Sequence, residues 1–159
     1  MATKQDSTTK VVGSNRKAFH DYSIEEKIEA GLILKGTEVK SLREGRVNLG
    51  EGYATLINGK AVLHNCHIGE YSHGNIMNHE PLRPRPLLLH KKQIEKLGEK
   101  VKLKGLTLVP LRIYFNSRGI AKVELGLARG KKNYDKRETV KKREAGREMD
   151  RAMKTRQRE

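Results

Sequence analysis

At Ala128 the supply of apolar side chains nearly ends. From Arg129 to Glu159 there are 13 basic and 6 acidic residues in 31 positions, and only Val140, Met149 and Met153, with the small Ala145 and Ala152, could form an apolar stripe. Such a segment cannot bury enough surface to offset the entropy lost on ordering, so residues 129–159 are expected to be a basic tail that is disordered when free. Its Glu, Lys, Arg and Ala are good helix formers. Contact with a polyanion would relieve the like-charge repulsion, so a helix formed on RNA is expected; the plain alternative is a solvated tail that only raises solubility. Met1 to Val12 is polar without a period and is expected to be disordered. The folded body is therefore confined to residues 13–128.

Within the body, Tyr53–Ile57 and Ala61–Leu63 are β-prone runs separated by Asn58-Gly59, a strong hairpin signal. Ser23 and Glu26 fit a capping box, predicting a short helix from Ser23 to Ala30, followed by a strand at Leu32–Leu34. Glu38–Glu44 reads as another short helix closed by Gly45, and Lys91–Leu97 as a third ended by Gly98. Residues 69–86 read as a loop, with the apolar run Leu87–Leu89 after it. Leu106 to Phe115, bent at Pro110, and the alternating Val123, Leu125 and Leu127 read as strands joined by the turn residues Asn116–Gly119. The fold class expected is mainly β: a closed antiparallel OB-like β-barrel of about six strands with short peripheral helices.

The chain carries 34 Lys and Arg against 19 Asp and Glu, a formal charge of +15 and a pI of about 10.0. That excess makes a polyanion the expected partner. No apolar run approaches a membrane span, and no amphipathic helix has aromatic anchors for a membrane surface. The start lacks a signal peptide and the one cysteine, Cys66, fits a reducing compartment, so a cytoplasmic protein is expected.

Catalysis has no evident carrier. His20 and Asp21 are adjacent, and no nucleophile motif or carboxylate pair accompanies them. His64, Cys66 and His67, with His73 and His79 downstream, lack the paired cysteines of a structural zinc site, and no metal or cofactor is expected. Gly52 to Lys60 has the wrong spacing for a phosphate loop. RNA contacts are better supplied. Asn15, Arg16 and Lys17 open the body, and Lys40, Arg43 and Arg46 recur at three-residue spacing as a possible phosphate-reading ridge. Tyr114, beside Arg112, could stack on an exposed base. A ribosomal or ribosome-assembly protein, or an RNA-processing enzyme using His20 or His67 as base, are the rival readings.

Four segments occur in order: N-R-K-A-F-H-D-Y (15–22), E-A-G-L-I-L-K-G-T-E-V-K-S-L-R-E-G (29–45), the R-x-R-x-L-L-L-H run (83–90) and G-K-K-N-Y-D-K-R (130–137). Together they resemble the SmpB family, small protein B, over about residues 13 to 155. The resemblance implies a non-enzymatic partner of transfer-messenger RNA, gripping its tRNA-like domain; nothing in the sequence suggests a large hydrophobic interface, so a monomer with one RNA is expected. The resemblance further implies delivery with elongation factor Tu and GTP to stalled ribosomes, where the tail enters the empty mRNA channel along the 16S rRNA of the small subunit. The family's RNA-binding pattern falls on Asn15, His20, Glu29, Lys40 and Leu88, with Glu29 expected at the end of the first helix. Leu88 would face an unstacked base, or be a core leucine, or both. The tail's function falls on Lys131, Lys132, Tyr134, Asp135, Lys136 and Arg137, with Lys141, Lys142 and Arg143 continuing the basic run. Tyr134 stands where the family often has His, and Pro86 where it commonly has a basic residue.

Overall fold

Asn58 and Gly59 adopt φ of 52° and 71°, the left-handed pair that a two-residue hairpin requires. They join β4 (Tyr53–Ile57) to β5 (Lys60–His64), paired in register from Tyr53–His64 to Ile57–Lys60. A computed structural model describes residues 9–131 and 133–156 of the chain. Its remaining strands and α-helices are β1 (Lys10–Ser14), α1 (Arg16–Asp21), β2 (Tyr22–Leu32), α2 (Gly36–Arg43), β3 (Val47–Asn48), β6 (His67–Ile68), β7 (Arg85–Leu88), α3 (Lys91–Lys104), β8 (Thr107–Phe115), β9 (Ala121–Gly130) and α4 (Asn133–Arg156).

The protein is mainly β. Seven antiparallel strands form one sheet in the order β1-β8-β4-β5-β7-β2-β9, and β9 also pairs with β8. The pairings therefore run in a ring from β8 through β4, β5, β7, β2 and β9 back to β8, with β1 outside it. β3 and β6 make a separate two-stranded sheet. The main core holds Ile28, Leu63, Ile68, Leu108, Ile113, Val123, Leu125 and Leu127. A second cluster lies under α1, where Ala18 meets Val109, Leu111 and Ala128.

Several expectations are corrected. Residues 23–30 are not a helix but most of β2, which pairs with β9 from Tyr22–Gly130 to Gly31–Lys122. A register shift between Ile24 and Glu26 sends Ile24 to the cluster under α1 and Ile28 to the main core. Ser23 and Glu26, the pair that fits a capping box, are instead exposed side chains on β2. The first helix is instead α1, capped by Asn15. α3 runs through Gly98 to Lys104 and ends at Gly105, with φ of 62°. Leu97 and Val101, one turn apart against the core, outweigh the roughly 1 kcal/mol that a helical glycine costs. β1 begins at Lys10, inside the stretch expected to be disordered, while residues 1–8 lie outside the described residues. Most of the basic tail is one 24-residue helix, α4.

Candidate nucleic-acid interface

β2 and β7 pair at Gly31–Leu88 and Leu32–Leu87. Alternation along β7 buries Arg85 and Leu87 and turns Leu88 outward, 61% exposed. A Cβ on Gly31 would lie 3.1 Å from that of Leu88, so the glycine lets the leucine lie flat on β2. Beside it opens a cleft of about 410 Å³ lined by Glu29, Leu88, His90, Gln93 and Lys122. Glu29 lies on a strand rather than at a helix end, and its carboxylate is exposed. Tyr114 donates a hydrogen bond to it. Burial, then that hydrogen bond, pushes the Tyr114 phenol well above the usual tyrosine range. The ring itself is 6% exposed and the Arg112 guanidinium lies 5.2 Å from its centroid, so Tyr114 is not the open stacking platform expected. Glu29 and Leu88 are thus brought together, with Tyr114 beneath them as a support. Pro86 sits within β7, where its carbonyl accepts the Ile33 N–H at 3.1 Å.

Lys40 and Arg43 are exposed on α2, and Arg46 follows the turn at Gly45, where φ is 75°. The Lys40 ammonium lies 5.4 Å from the Tyr71 ring, and Arg46 donates to the Glu70 carbonyl at 3.2 Å. These two flank one loop, whereas Arg43 lies over Phe115 at 5.6 Å. The expected ridge is therefore divided.

Beneath α2 is a buried polar joint that the sequence analysis missed. Glu38 is fully buried and forms ion pairs with Arg85, also fully buried, and with Arg83 at 2.6 Å. Arg85 also donates to the carbonyls of Cys66 at 2.5 Å and Pro81 at 3.1 Å. Burial alone would raise the Glu38 carboxyl. The hydrogen bonds from Arg85, the Lys35 N–H and Arg83 prevail and hold it below the usual range. Buried His79 joins Thr37 Oγ1 to the Ile68 carbonyl, both at 2.9 Å. The carbonyl can only accept, so Nε2 carries the proton. One signal was available: Arg85 has the same strand parity as Leu87, which places it inside.

Asn15 is the other expected contact that lies inside. It is 4% exposed; its Nδ2 donates to the carbonyls of Leu49 at 3.1 Å and Pro110 at 2.9 Å, and its Oδ1 accepts from the Ala18 N–H at 3.1 Å. It fastens α1 to β8 and leaves Arg16 and Lys17 exposed on the helix. Lys17 is ion-paired with Glu51. His20 Nδ1 lies 2.8 Å from Asp21 Oδ1, a contact that helps hold the Asp21 carboxyl below its usual range.

Lys131 packs against α1, and Lys136 and Arg137 lie in the opening turns of α4, with Lys141, Lys142 and Arg143 exposed beyond them. Tyr134 and Asp135 lie in the first turn of α4; Lys132 lies outside the described residues. His64 bonds to Thr55 Oγ1 at 2.9 Å and stacks on Tyr53. Cys66 is fully buried, and burial pushes its thiol up to about 11. Among the described residues no group of three or more His, Cys, Asp or Glu could hold a metal ion, and no helix is long and apolar enough to cross a membrane.

Fold and site together define a small, strongly basic, mainly β protein whose candidate site is a surface of cations, one oriented carboxylate and one outward leucine. The chain belongs to the SmpB family, whose description, SmpB protein, it matches over residues 12–155. An SsrA-binding protein of Moorella thermoacetica is 57% identical over 148 residues, covering 93% of this chain and 96% of the relative. Another from Geobacter sulfurreducens is 58% identical over 144 residues, covering 91% and 94%. A solved chain described under "tmRNA-SmpB: a journey to the center of the bacterial ribosome" is 52% identical, with a TM-score of 0.66 over 82% of this chain and 94% of that one.

Proposed function

We propose that this protein binds the tRNA-like domain of transfer-messenger RNA and carries it to stalled ribosomes in trans-translation. The observation that carries the reading is the cleft in which Glu29, oriented by Tyr114, faces the outward Leu88 in a chain of the SmpB family. A fixed carboxylate accepts hydrogen bonds from a base or ribose, while an exposed leucine covers an unstacked base, so the pair reads shape rather than charge alone. Lys40, Arg43, Arg46, Arg16, Lys17 and His20 supply backbone contacts around it, and Asn15 acts by positioning α1. The ring of strand pairings supports a closed OB-like barrel as the rigid carrier of these groups.

The tail, with Lys131, Lys132, Tyr134, Asp135, Lys136, Arg137, Lys141, Lys142 and Arg143, takes the empty mRNA channel and decoding centre of the small subunit. Its helix is stabilised there by the rRNA phosphates. Elongation factor Tu with GTP is the delivery partner, the compartment is the cytoplasm, and no chemistry is catalysed by the protein.

The test is a salt-titrated binding competition among the tRNA-like fragment, bulk tRNA and duplex RNA. Backbone contacts alone lose affinity with salt by about 0.7 to 0.9 log units per log unit for each phosphate neutralised, and without preference among the three. A preference for the tRNA-like fragment that persists as salt rises supports the reading. Equal affinity for all three overturns it in favour of a general ribosomal RNA binder.

A further inference from the structure

Between β6 and β7 the chain makes a loop whose form is fixed by its own bonds. Its two limbs are joined at the base, where the Ile68 N–H donates to the Pro81 carbonyl at 3.0 Å. Higher up, the Asn78 side chain exchanges two hydrogen bonds with the main chain of Tyr71. Its Oδ1 accepts the N–H at 2.9 Å and its Nδ2 donates to the carbonyl at 2.7 Å. A Cβ on Gly74 would lie 2.8 Å from that amide, so glycine keeps the limbs this close. The top is a single 3-10 turn, Asn75–Met77, closed by the Met77 N–H on the Gly74 carbonyl at 3.0 Å. This frame holds Ile76 97% and Met77 80% exposed. From Tyr71 to His79 there is no Lys, Arg, Asp or Glu, in a chain of which 33% is charged. Glu70 and Glu80 stand exposed on opposite limbs below the tip, and neither carboxylate has an ion-pair partner among the described residues.

We propose that this loop is a protein-docking knob: Ile76 and Met77 enter an apolar pocket of a basic ribosomal protein, whose Lys or Arg side chains meet Glu70 and Glu80. Apolar anchors inside a rim of charged pairs are the anatomy of a protein–protein hot spot. RNA would ask for other groups, cations for its phosphates and flat open rings for its bases. The apex supplies two aliphatic side chains instead, and the His73 ring is turned edge-on to Tyr71, 73° between the planes. The nearest cations are engaged lower on the loop. Lys40 lies over the Tyr71 ring, and Arg46 is held by the Glu70 carbonyl and, at 3.2 Å, by the Glu44 carboxylate. Two unpaired carboxylates on a protein of charge +15 repel phosphates and attract a basic surface. The loop lies outside the four segments that carry the family resemblance. The inference rests on the ribosome-delivery reading and adds to it a contact made with protein.

The experiment is photocrosslinking on purified ribosomes stalled at an mRNA end, loaded with the full chain and transfer-messenger RNA. A benzophenone side chain replaces Met77 or, as a control, Leu103, which is 85% exposed on α3. Position 77 should give an adduct with a basic ribosomal protein, about fivefold or more above position 103. An adduct with rRNA alone, an adduct with an acidic protein, or no excess over position 103 overturns the docking site. The reading beneath it fails separately, if the unmodified chain shows no preference for the tRNA-like fragment. Charge reversal supplies a second readout through its sign. Glu70→Lys combined with Glu80→Lys should weaken ribosome binding of the RNA–protein complex about fivefold, by repulsion at the basic rim. The same change would tighten any contact with phosphate, so unchanged or tighter ribosome binding overturns the proposal. Without ribosomes, the doubly reversed chain should bind the tRNA-like fragment no more weakly than before. A matching loss there would place the loop in the RNA interface and overturn its assignment to protein.

Discussion

The phenol of Tyr114 on β8 reaches across β9 to donate its hydrogen bond to the carboxylate of Glu29 on β2. A buried donor thus aims an exposed acceptor. Tyr114→Phe is expected to cost about 1 kcal/mol of stability. It should also weaken binding of the tRNA-like fragment, but by less than Glu29→Ala, because the carboxylate remains and only its orientation is lost. Paired denaturation and binding isotherms on the two variants test this; equal binding losses would mean that Tyr114 does more than orient Glu29.

The joint of Glu38 with Arg83 and Arg85 governs the acid limb of stability. Glu38→Ala leaves the Arg85 guanidinium buried without its counterion and should cost about 3 to 5 kcal/mol in urea denaturation. The folded-state carboxyls of Glu38 and Asp21 lie below their ordinary values. Their contribution is therefore complete above the ordinary carboxylate range and lost as pH falls through it. Glu38→Gln should flatten that acid limb, visible as a smaller drop in midpoint between pH 5 and pH 3.

The alkaline limb has the opposite sign. Cys66 is raised from the usual 9.0 to about 11, and Tyr114 is raised as well. In both cases the unfolded chain ionises first, so stability is complete below about pH 9 and falls as pH rises towards 11. Cys66→Ala should remove part of that fall between pH 9 and pH 11. An unchanged slope would exclude the thiol as a source.

Leu88 is exposed, so Leu88→Ala should leave the denaturation midpoint nearly unchanged. It should nevertheless weaken fragment binding about five- to tenfold, the scale of one lost base contact. Asn15→Ala should do the reverse. Losing the cap and two buried hydrogen bonds costs about 2 kcal/mol or more, while the RNA affinity of the protein that remains folded changes little.

These contrasts mark what could be read from sequence. The β4–β5 hairpin was legible because Asn58-Gly59 demands a left-handed pair whatever surrounds it. β2 was not, because Ser23 and Glu26 satisfy the local pattern of a capping box, and only nine paired positions along β9 reveal the strand. Residue type pointed to Glu29 and Leu88 through the family's motifs, yet no local pattern indicates that Tyr114, 85 positions away in the chain, holds Glu29. Asn15 was placed at the surface because polar residues usually lie there, but two carbonyls on distant segments draw it inside. Arg85 stands in the R-x-R-x-L-L-L-H run, and its burial depends on Glu38, 47 positions earlier.

The two longest ladders of the sheet both run along β9, and the chain passes from β9 into α4 after only a short connection. A pull on the tail helix is therefore delivered along a strand clamped on both sides, so that both rows of hydrogen bonds resist together in shear rather than opening one by one. The tail helix is rooted in the most extensively paired strand of the body.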